Sequence, residues 1–248
     1  MSERGTSEAE RSLTTLPGVQ AISAVLKRAP ERIQELLFRA PLKGARGEIV
    51  ARAEAAGVPC RAVRQRELDH HLSEVNSQGL IARVTPASLM PWATLLATQP
   101  RRLVALDQVT DPRNLGAILR SAEALGVGGA LLTSNRCARP GPVVTRSSAG
   151  ASELIPISIE TNLSRALAEA KAAGYWVVGA EMSGTPAAEV DWSMPTIFVI
   201  GAEGKGLRPS TLNACDLLVS IPLLGATESL NASVAASLLF YEAARPRS

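Results

Sequence analysis

The sequence predicts an α/β protein in which a larger C-terminal domain, built on a mostly parallel sheet, follows a small N-terminal α/β domain. Three observations carry that prediction. From Arg101 onward, short apolar runs of strand length alternate with helical patterns, and strands separated by helices imply a parallel sheet covered on both faces. The same alternation appears on a smaller scale between Gly18 and Val84. The stretch TPASLMPWATLLATQP between them carries proline at both ends and in the middle, which reads as a linker with one short helix.

Taken in order, residues 1–15 are expected to form a flexible tail, since MSERGTSEAERSLTTLPG is polar and lacks the apolar region of a signal peptide. In the small domain, residues 16–85, GVQAISAVLKR is a helix and ERIQELLFRA turns into a strand. GEIVARAEAAG is a helix, VPCRAV a strand, RELDHHL a short helix and GLIARV a strand. The linker is placed at 86–98. The second domain, 99–248, opens with the strand RLVALDQV, which ends in loop chemistry, followed by the helix NLGAILRSAEALGV and the strand GALLT. Then come the helix NLSRALAEAKAAG, the strands YWVVGAEM and PTIFVIG, the short helix PSTLNACD, the strand LLVSIPL and a last helix in ESLNASVAASLLFYEAAR. Ligands of such sheets bind beyond the carboxyl ends of the strands.

Composition narrows the function. Hydrophobic residues at 46% and charged residues at 20% exclude a disordered or fibrous class, and aromatics at 3% argue against recognition by a stacked aromatic platform. The basic residues are 22 Arg and 4 Lys. Residues 1–98 carry 13 basic and 10 acidic side chains against 13 and 13 in 99–248, so the excess lies in the first part. That is consistent with a polyanionic partner, or with a solvated Arg-rich surface. The cysteines Cys60, Cys137 and Cys215 are far apart and have no His or Cys partner at metal-ligand spacing, which suits a reduced cytoplasm. No metal and no membrane partner are expected, since no stretch approaches the roughly 20 apolar residues of a span. His70 and His71 read as surface residues of a short helix.

Three stretches carry candidate chemistry. In LDQVTDPRNLGAILRSAEALGV, Asp111 and Pro112 end the loop, Asn114 sits at the helix start and Arg120 follows six residues later. At about 100° per residue that offset is about 240°, so the two share a face only if Asn114 belongs to the entering loop; a capped helix with a surface Arg is the plainer alternative. In FVIGAEGKGLRPSTLNACDLLVSIPL, a buried strand runs into Gly201, Glu203, Gly204, Lys205 and Gly206. Neither standard nucleotide-loop spacing is met. Exposed backbone there is suited to an adenine and a small zwitterion, while Glu203 alternatively serves only to brace the loop. In ESLNASVAA, Ser229 is adequate as a helix N-cap, but a second polar residue, Asn231, before a run of small residues points to a helix start that faces a site.

Together these blocks resemble the three motifs of the SpoU family of RNA ribose 2′-O-methyltransferases, of the knotted SPOUT class, in order and approximate spacing from Arg101 to Arg245. The first motif's Asn and Arg fall on Asn114 and Arg120. The second falls on Gly201, Glu203 and Gly204, closed by Ile221 and Pro222, and the third on Ser229 and Asn231. The resemblance implies a deep trefoil knot, a homodimer built on the knotted region, and S-adenosylmethionine held by backbone around Gly201, Ile221 and Leu230. It further implies that Arg120 positions the RNA phosphate and stabilises the developing alkoxide, a guanidinium being a poor base. Asn114, Ser229 and Asn231 then orient Arg120, the ribose and the loop, and Glu203 braces the cofactor loop.

The N-terminal unit is similar to the RNA substrate-binding domain that many SpoU enzymes carry. The whole chain also resembles the 23S rRNA guanosine 2′-O-methyltransferases, from which it departs at Gln20 and Ser77, where those proteins commonly have His. Two rival readings are a tRNA ribose methyltransferase and a knotted RNA-binding or ribosome-assembly factor without catalytic activity.

Overall fold

The computed structural model describes residues 13–70, 78–87 and 89–245. His71 and Ser77 lie outside them, as does most of the expected tail. The chain divides into two compact units, one taking the chain up to Ala87 together with Pro140–Leu154, the other the remainder.

The first unit is a four-stranded sheet in the order β1-β4-β2-β3, with β1 at Thr14–Pro17, β2 at Ile33–Phe38, β3 at Cys60–Ala62 and β4 at Leu80–Val84. β2 and β3 run parallel, while β4 is antiparallel to both β1 and β2. Helices α1 (Val19–Arg28) and α2 (Ala45–Ala55) cover it, and the core joins Ile22 and Val25 of α1 and Ile49 and Ala53 of α2 to Leu16, Leu36, Leu80 and Val84 of the strands. The short helix α3 spans Gln65–His70. Strand β1 was not anticipated: it begins at Thr14, inside the expected tail. Its sequence, TTLP, gives only Leu16 and Pro17 as buried residues, too short an alternation to register as a strand by pattern.

Pro140–Leu154 also departs from expectation, clustering with this first unit although it lies within residues 99–248. It forms a helix, Pro142–Ser147, and a 3-10 turn, Ala151–Glu153. Glu153 holds it in place: its carboxylate accepts from the Arg32 guanidinium at 2.6 Å and from the Thr145 hydroxyl at 3.1 Å. Gly150 has φ +88°, and a Cβ there would stand 2.7 Å from the Ala21 Cα, so both conformation and proximity to α1 require glycine.

In the second unit a six-stranded sheet runs β10-β8-β9-β5-β6-β7, every adjacent pair parallel. Its strands are β5 Arg102–Asp107, β6 Ala130–Thr133, β7 Ile157–Glu160, β8 Trp176–Pro186, β9 Thr196–Gly201 and β10 Leu217–Ser220. The helices are α4 (Trp92–Ala97), α5 (Pro112–Ala124), α6 (Leu163–Ala172), α7 (Pro209–Leu212) and α8 (Ala232–Ala244). β5 and β9 are buried along almost their whole length, as central strands covered on both faces must be. From β5 the chain proceeds outward to β6 and β7, whereas β9, β8 and β10 lie on its other side. The crevice at the carboxyl ends of β5 and β9 is therefore a switch point, where sheets of this type bind ligands.

β7 was not recognised in the sequence. β8 also runs further than YWVVGAEM suggested. Its pairing with β10 jumps from Leu218↔Gly179 to Val219↔Thr185, so Ala180–Gly184 bulge out of the ladder. Irregularities of this kind re-aim side chains beside sites. Among the described residues, no helix is long and apolar enough to cross a membrane, and no group of three or more His, Cys, Asp or Glu is placed to hold a metal ion.

Candidate cofactor cavity and active site

The site grows from the paired ends of β5 and β9, where Asp107 stands opposite Gly201. The residues after Gly201 fold into a tight loop in which Ala202 and Gly206 exchange both backbone hydrogen bonds, at 3.1 and 2.9 Å. The loop closes back so tightly that a Cβ on Gly201 would lie 2.3 Å from the Gly206 carbonyl carbon. Since backbone cannot swing aside as a side-chain tip can, Gly201 has no substitute there.

Asp107 anchors the far side of the loop. It is 1% exposed, accepts from the backbone N–H of Arg208 at 3.1 Å, and is ion-paired with the Arg208 guanidinium at 2.6 Å. A carboxylate this enclosed is tolerated only because both of its oxygens are engaged. Arg208 is also the N-cap residue of α7, so one side chain fixes the exit of the loop and the entry of the next helix. Neither residue was singled out from the sequence. The signal was present in RLVALD, where a buried strand ends on a charge.

This frame encloses a cavity of about 380 Å³, within the size range of small-molecule sites. Its walls are the loop Gly201–Gly206, the segment Ser220, Ile221 and Leu223 after β10, the approach Glu228–Leu230, and the bulged Ala180–Met182. Ala232, Ala235 and Leu239 of α8 complete the lining, and the alanines leave the room that larger side chains would fill. Of the sequence candidates, Gly201, Glu203, Ile221, Ser229 and Leu230 all line it. Asn114, Arg120 and Asn231 do not.

Asn114 and Asn231 meet Glu203 beside the cavity. The Asn114 amide donates to the Glu203 carboxylate at 3.1 Å, and the Asn231 amide nitrogen lies 3.0 Å from the Asn114 carbonyl oxygen and 3.3 Å from Glu203. Residues 89 and 117 positions apart in sequence are thus joined in one polar cluster.

One local expectation is corrected, and one condition is not met. The N-cap of α8 is Asn231, not Ser229: with ψ 141° Asn231 is outside the helix, and its Oδ1 accepts from the Ser233 N–H at 2.9 Å. Ser229 stands two residues upstream, exposed on the cavity wall. Likewise Asn114 lies inside α5 rather than in the entering loop, because Asp111 caps that helix by accepting from the Arg113 N–H at 2.8 Å and Pro112 opens it. The condition for Asn114 and Arg120 to share a face is therefore not met. Asn114 faces the cluster, while Arg120 is exposed on another side of the same helix and makes no hydrogen bond within the described residues.

The thiols are not poised as nucleophiles. Burial pushes the Cys215 thiol up to about 11, and its Sγ donates to the Thr211 carbonyl at 3.3 Å. Burial likewise raises Cys137 and Cys60. What remains is a cavity walled by a tight glycine loop and apolar residues, with a carboxylate and two amides at its edge, suited to holding and orienting reactants.

The comparisons with known proteins agree with the motif pattern. The model of the SpoU rRNA Methylase family matches residues 101–241, and a model for RNA 2′-O ribose methyltransferase substrate binding matches residues 15–90. The 23S rRNA (guanosine-2′-O-)-methyltransferase RlmB of Pseudomonas putida is 36% identical over 246 residues, covering 95% of this chain and 97% of that protein. The protein of that name from Shewanella oneidensis is 37% identical over 239 residues, covering 93% and 96%. An AdoMet-bound rRNA methyltransferase from Sinorhizobium meliloti superposes with TM-score 0.77 at 25% identity, covering 95% of this chain and 88% of that one. The SpoU methyltransferase AviRb from Streptomyces viridochromogenes, in complex with AdoMet, superposes with TM-score 0.76 at 26% identity, covering 97% and 93%.

Proposed function

The chain belongs to the SpoU rRNA methylase family, and on that premise we propose that it transfers a methyl group from S-adenosylmethionine to the ribose 2′-hydroxyl of a guanosine in 23S rRNA. The observation that carries this reading is the cavity itself: six residues picked from the second and third motifs, Gly201, Glu203, Gly204, Ile221, Ser229 and Leu230, line one cavity, with Asn114 and Asn231 tied to Glu203 beside it.

The residues fit the cofactor. Gly201, Ile221 and Leu230 line the cavity, and the closed loop Ala202–Gly206 forms a cradle that any side chain on Gly201 would disrupt. S-adenosylmethionine supplies an electrophilic methyl on a sulfonium. A ribose 2′-hydroxyl is a weak nucleophile, so the protein's task is alignment and charge stabilisation. Glu203 accepts from both asparagines and so fixes the loop to α5 and α8. Ser229, exposed on the wall, is placed to bond a ribose hydroxyl. Arg120, exposed and with no hydrogen bond or ion pair among the described residues, is free to bind the RNA phosphate next to the reacting ribose, where a guanidinium acts as a cation and not as a base.

In this reading residues 16–85 bind the RNA substrate and 99–248 carry out transfer in a trefoil-knotted domain of a cytoplasmic homodimer. A dimer interface is supported by the exposed apolar stripe Val234, Leu238 and Tyr241 on α8, spaced as one helical face. The deciding experiment maps 2′-O-methyl groups in total RNA from a deletion strain and its complemented counterpart. Loss of one 23S guanosine methyl on deletion supports the proposal. Loss from a tRNA instead, or an unchanged map, overturns it.

A further inference from the structure

The cations on the first unit's sheet and on the segments that leave it at one end fall into two groups. Those on the body of the sheet are paired: Arg32 with Glu153 at 2.6 Å, Arg61 with Glu35 and Glu67 at 3.1 and 2.7 Å, and Arg83 with Glu35 at 3.8 Å. Arg39, Lys43, Arg46, Arg64 and Arg66 have no ion pair among the described residues, and all but the half-buried Arg46 are exposed.

Those five come together by topology. The Val63 N–H donates to the Phe38 carbonyl at 2.8 Å and the Arg39 N–H to the Gly79 carbonyl at 2.9 Å, which brings the exits of β2 and β3 and the entry of β4 to one end of the sheet. The segment RAPLKGAR leaving β2 holds three cations and no acid, and RQR leaving β3 holds two more. Of the nearby acids among the described residues, Glu67 is held by Arg61, while Asp69, which accepts from the Gln65 amide at 2.7 Å, and Glu48 in the first turn of α2 keep their charge, two carboxylates against five cations.

We infer that this end of the four-stranded sheet, with Arg39, Lys43, Arg46, Arg64 and Arg66, is the surface that grips the phosphate backbone of the RNA substrate. Unpaired guanidinium groups at one edge raise the local potential, and their bidentate donors match phosphate geometry. Neither segment contains an aromatic residue, so the contact reads backbone and shape and does not stack bases. The inference rests on the proposed RNA substrate and locates its binding surface.

The test uses the full chain with Arg39→Gln, Lys43→Gln, Arg64→Gln and Arg66→Gln together, sparing Arg46, which donates to the Pro41 carbonyl. A control carries Lys27→Gln and Arg52→Gln at the C-terminal ends of α1 and α2. Affinity for a 23S rRNA transcript is measured across a salt series, with S-adenosylmethionine affinity and the unfolding midpoint followed alongside. Each lost phosphate contact lowers the salt slope by about 0.7 to 0.9. The fourfold variant is expected to lose about 3 from that slope and to bind roughly 100-fold more weakly at low salt, with cofactor affinity and unfolding unchanged, while the control matches wild type. An unchanged slope in the fourfold variant, or an equal loss in the control, overturns the assigned surface while wild-type methylation of the transcript leaves the proposed function standing. A wild-type protein that neither binds nor methylates the transcript overturns both.

Discussion

The two sheets end in opposite ways. At the carboxyl ends of β5 and β9 the polar groups are mutually satisfied: the buried Asp107 by Arg208, the exposed Glu203 by two asparagines, the loop backbone by its own hydrogen bonds. Where β2 and β3 end stand five cations with no ion pair among the described residues, all exposed but the half-buried Arg46. The first end works by shape and tolerates almost no change of volume. The second works by charge and tolerates change of shape. A small cofactor needs the former, and a long polyanion is served by the latter.

The largest test asks whether the enclosed end is sufficient for chemistry. Arg120→Ala should lower methyl transfer by roughly 10³-fold, the scale for removing a group that stabilises developing charge, while calorimetry shows S-adenosylmethionine binding intact. Retention of most activity would sink the role given to Arg120. Gly201→Ala tests shape alone. With a Cβ 2.3 Å from backbone, it should cost up to about 3 kcal/mol, read as roughly 100-fold weaker cofactor binding; an unaltered affinity means the loop is not the cradle.

Arg208→Ala sharpens the contrast further, since it leaves the buried Asp107 carboxylate unpaired. It should lower stability in denaturant unfolding by about 2 kcal/mol, less than for a fully enclosed pair because Arg208 is 41% exposed. The matching change in the other unit, Arg61→Ala, breaks only surface pairs and should cost at most about 0.5 kcal/mol. Asn231→Asp keeps the cap acceptor but removes the amide donor, placing a second carboxylate beside Glu203. Activity should fall with a smaller change in unfolding, of about 1 kcal/mol.

The smallest effect concerns pH. Because burial raises the Cys215 thiol from 9.0 to about 11 in the folded state, its contribution to stability is complete below pH 9. It is lost as pH rises toward 11, where the unfolded thiol ionises first. The slope of stability against pH in that window should shrink in Cys215→Ala.

The sequence made the second unit legible because its strands are long apolar runs: LVAL and TIFVI leave little room for another reading, and the three polar motifs follow strand ends or open helices. What escaped was set by distant contacts. β1 and β7 are four residues each, too short for periodicity to speak, and exist through pairing with β4 and β6. The cap assignments were legible in type but not in position. ESLN offers two competent caps two residues apart, and the bonds of Asn231 to Asn114, Glu203 and the Ser233 N–H decide between them. Asp107 was visible as a charge, but its partner lies 101 residues away.

The return of Pro140–Leu154 to the first unit bears on how the protein can be taken apart. An apparent two-bead chain would be severed cleanly at the linker. Here the small bead is completed by a strip of polypeptide that leaves the large one at Arg139 and re-enters it at Ile155, so a gene fragment ending at Ala87 encodes a piece lacking Glu153 opposite Arg32 and Gly150 against α1. Swapping substrate-recognition modules between related enzymes would therefore require exchanging two separate stretches of sequence at once.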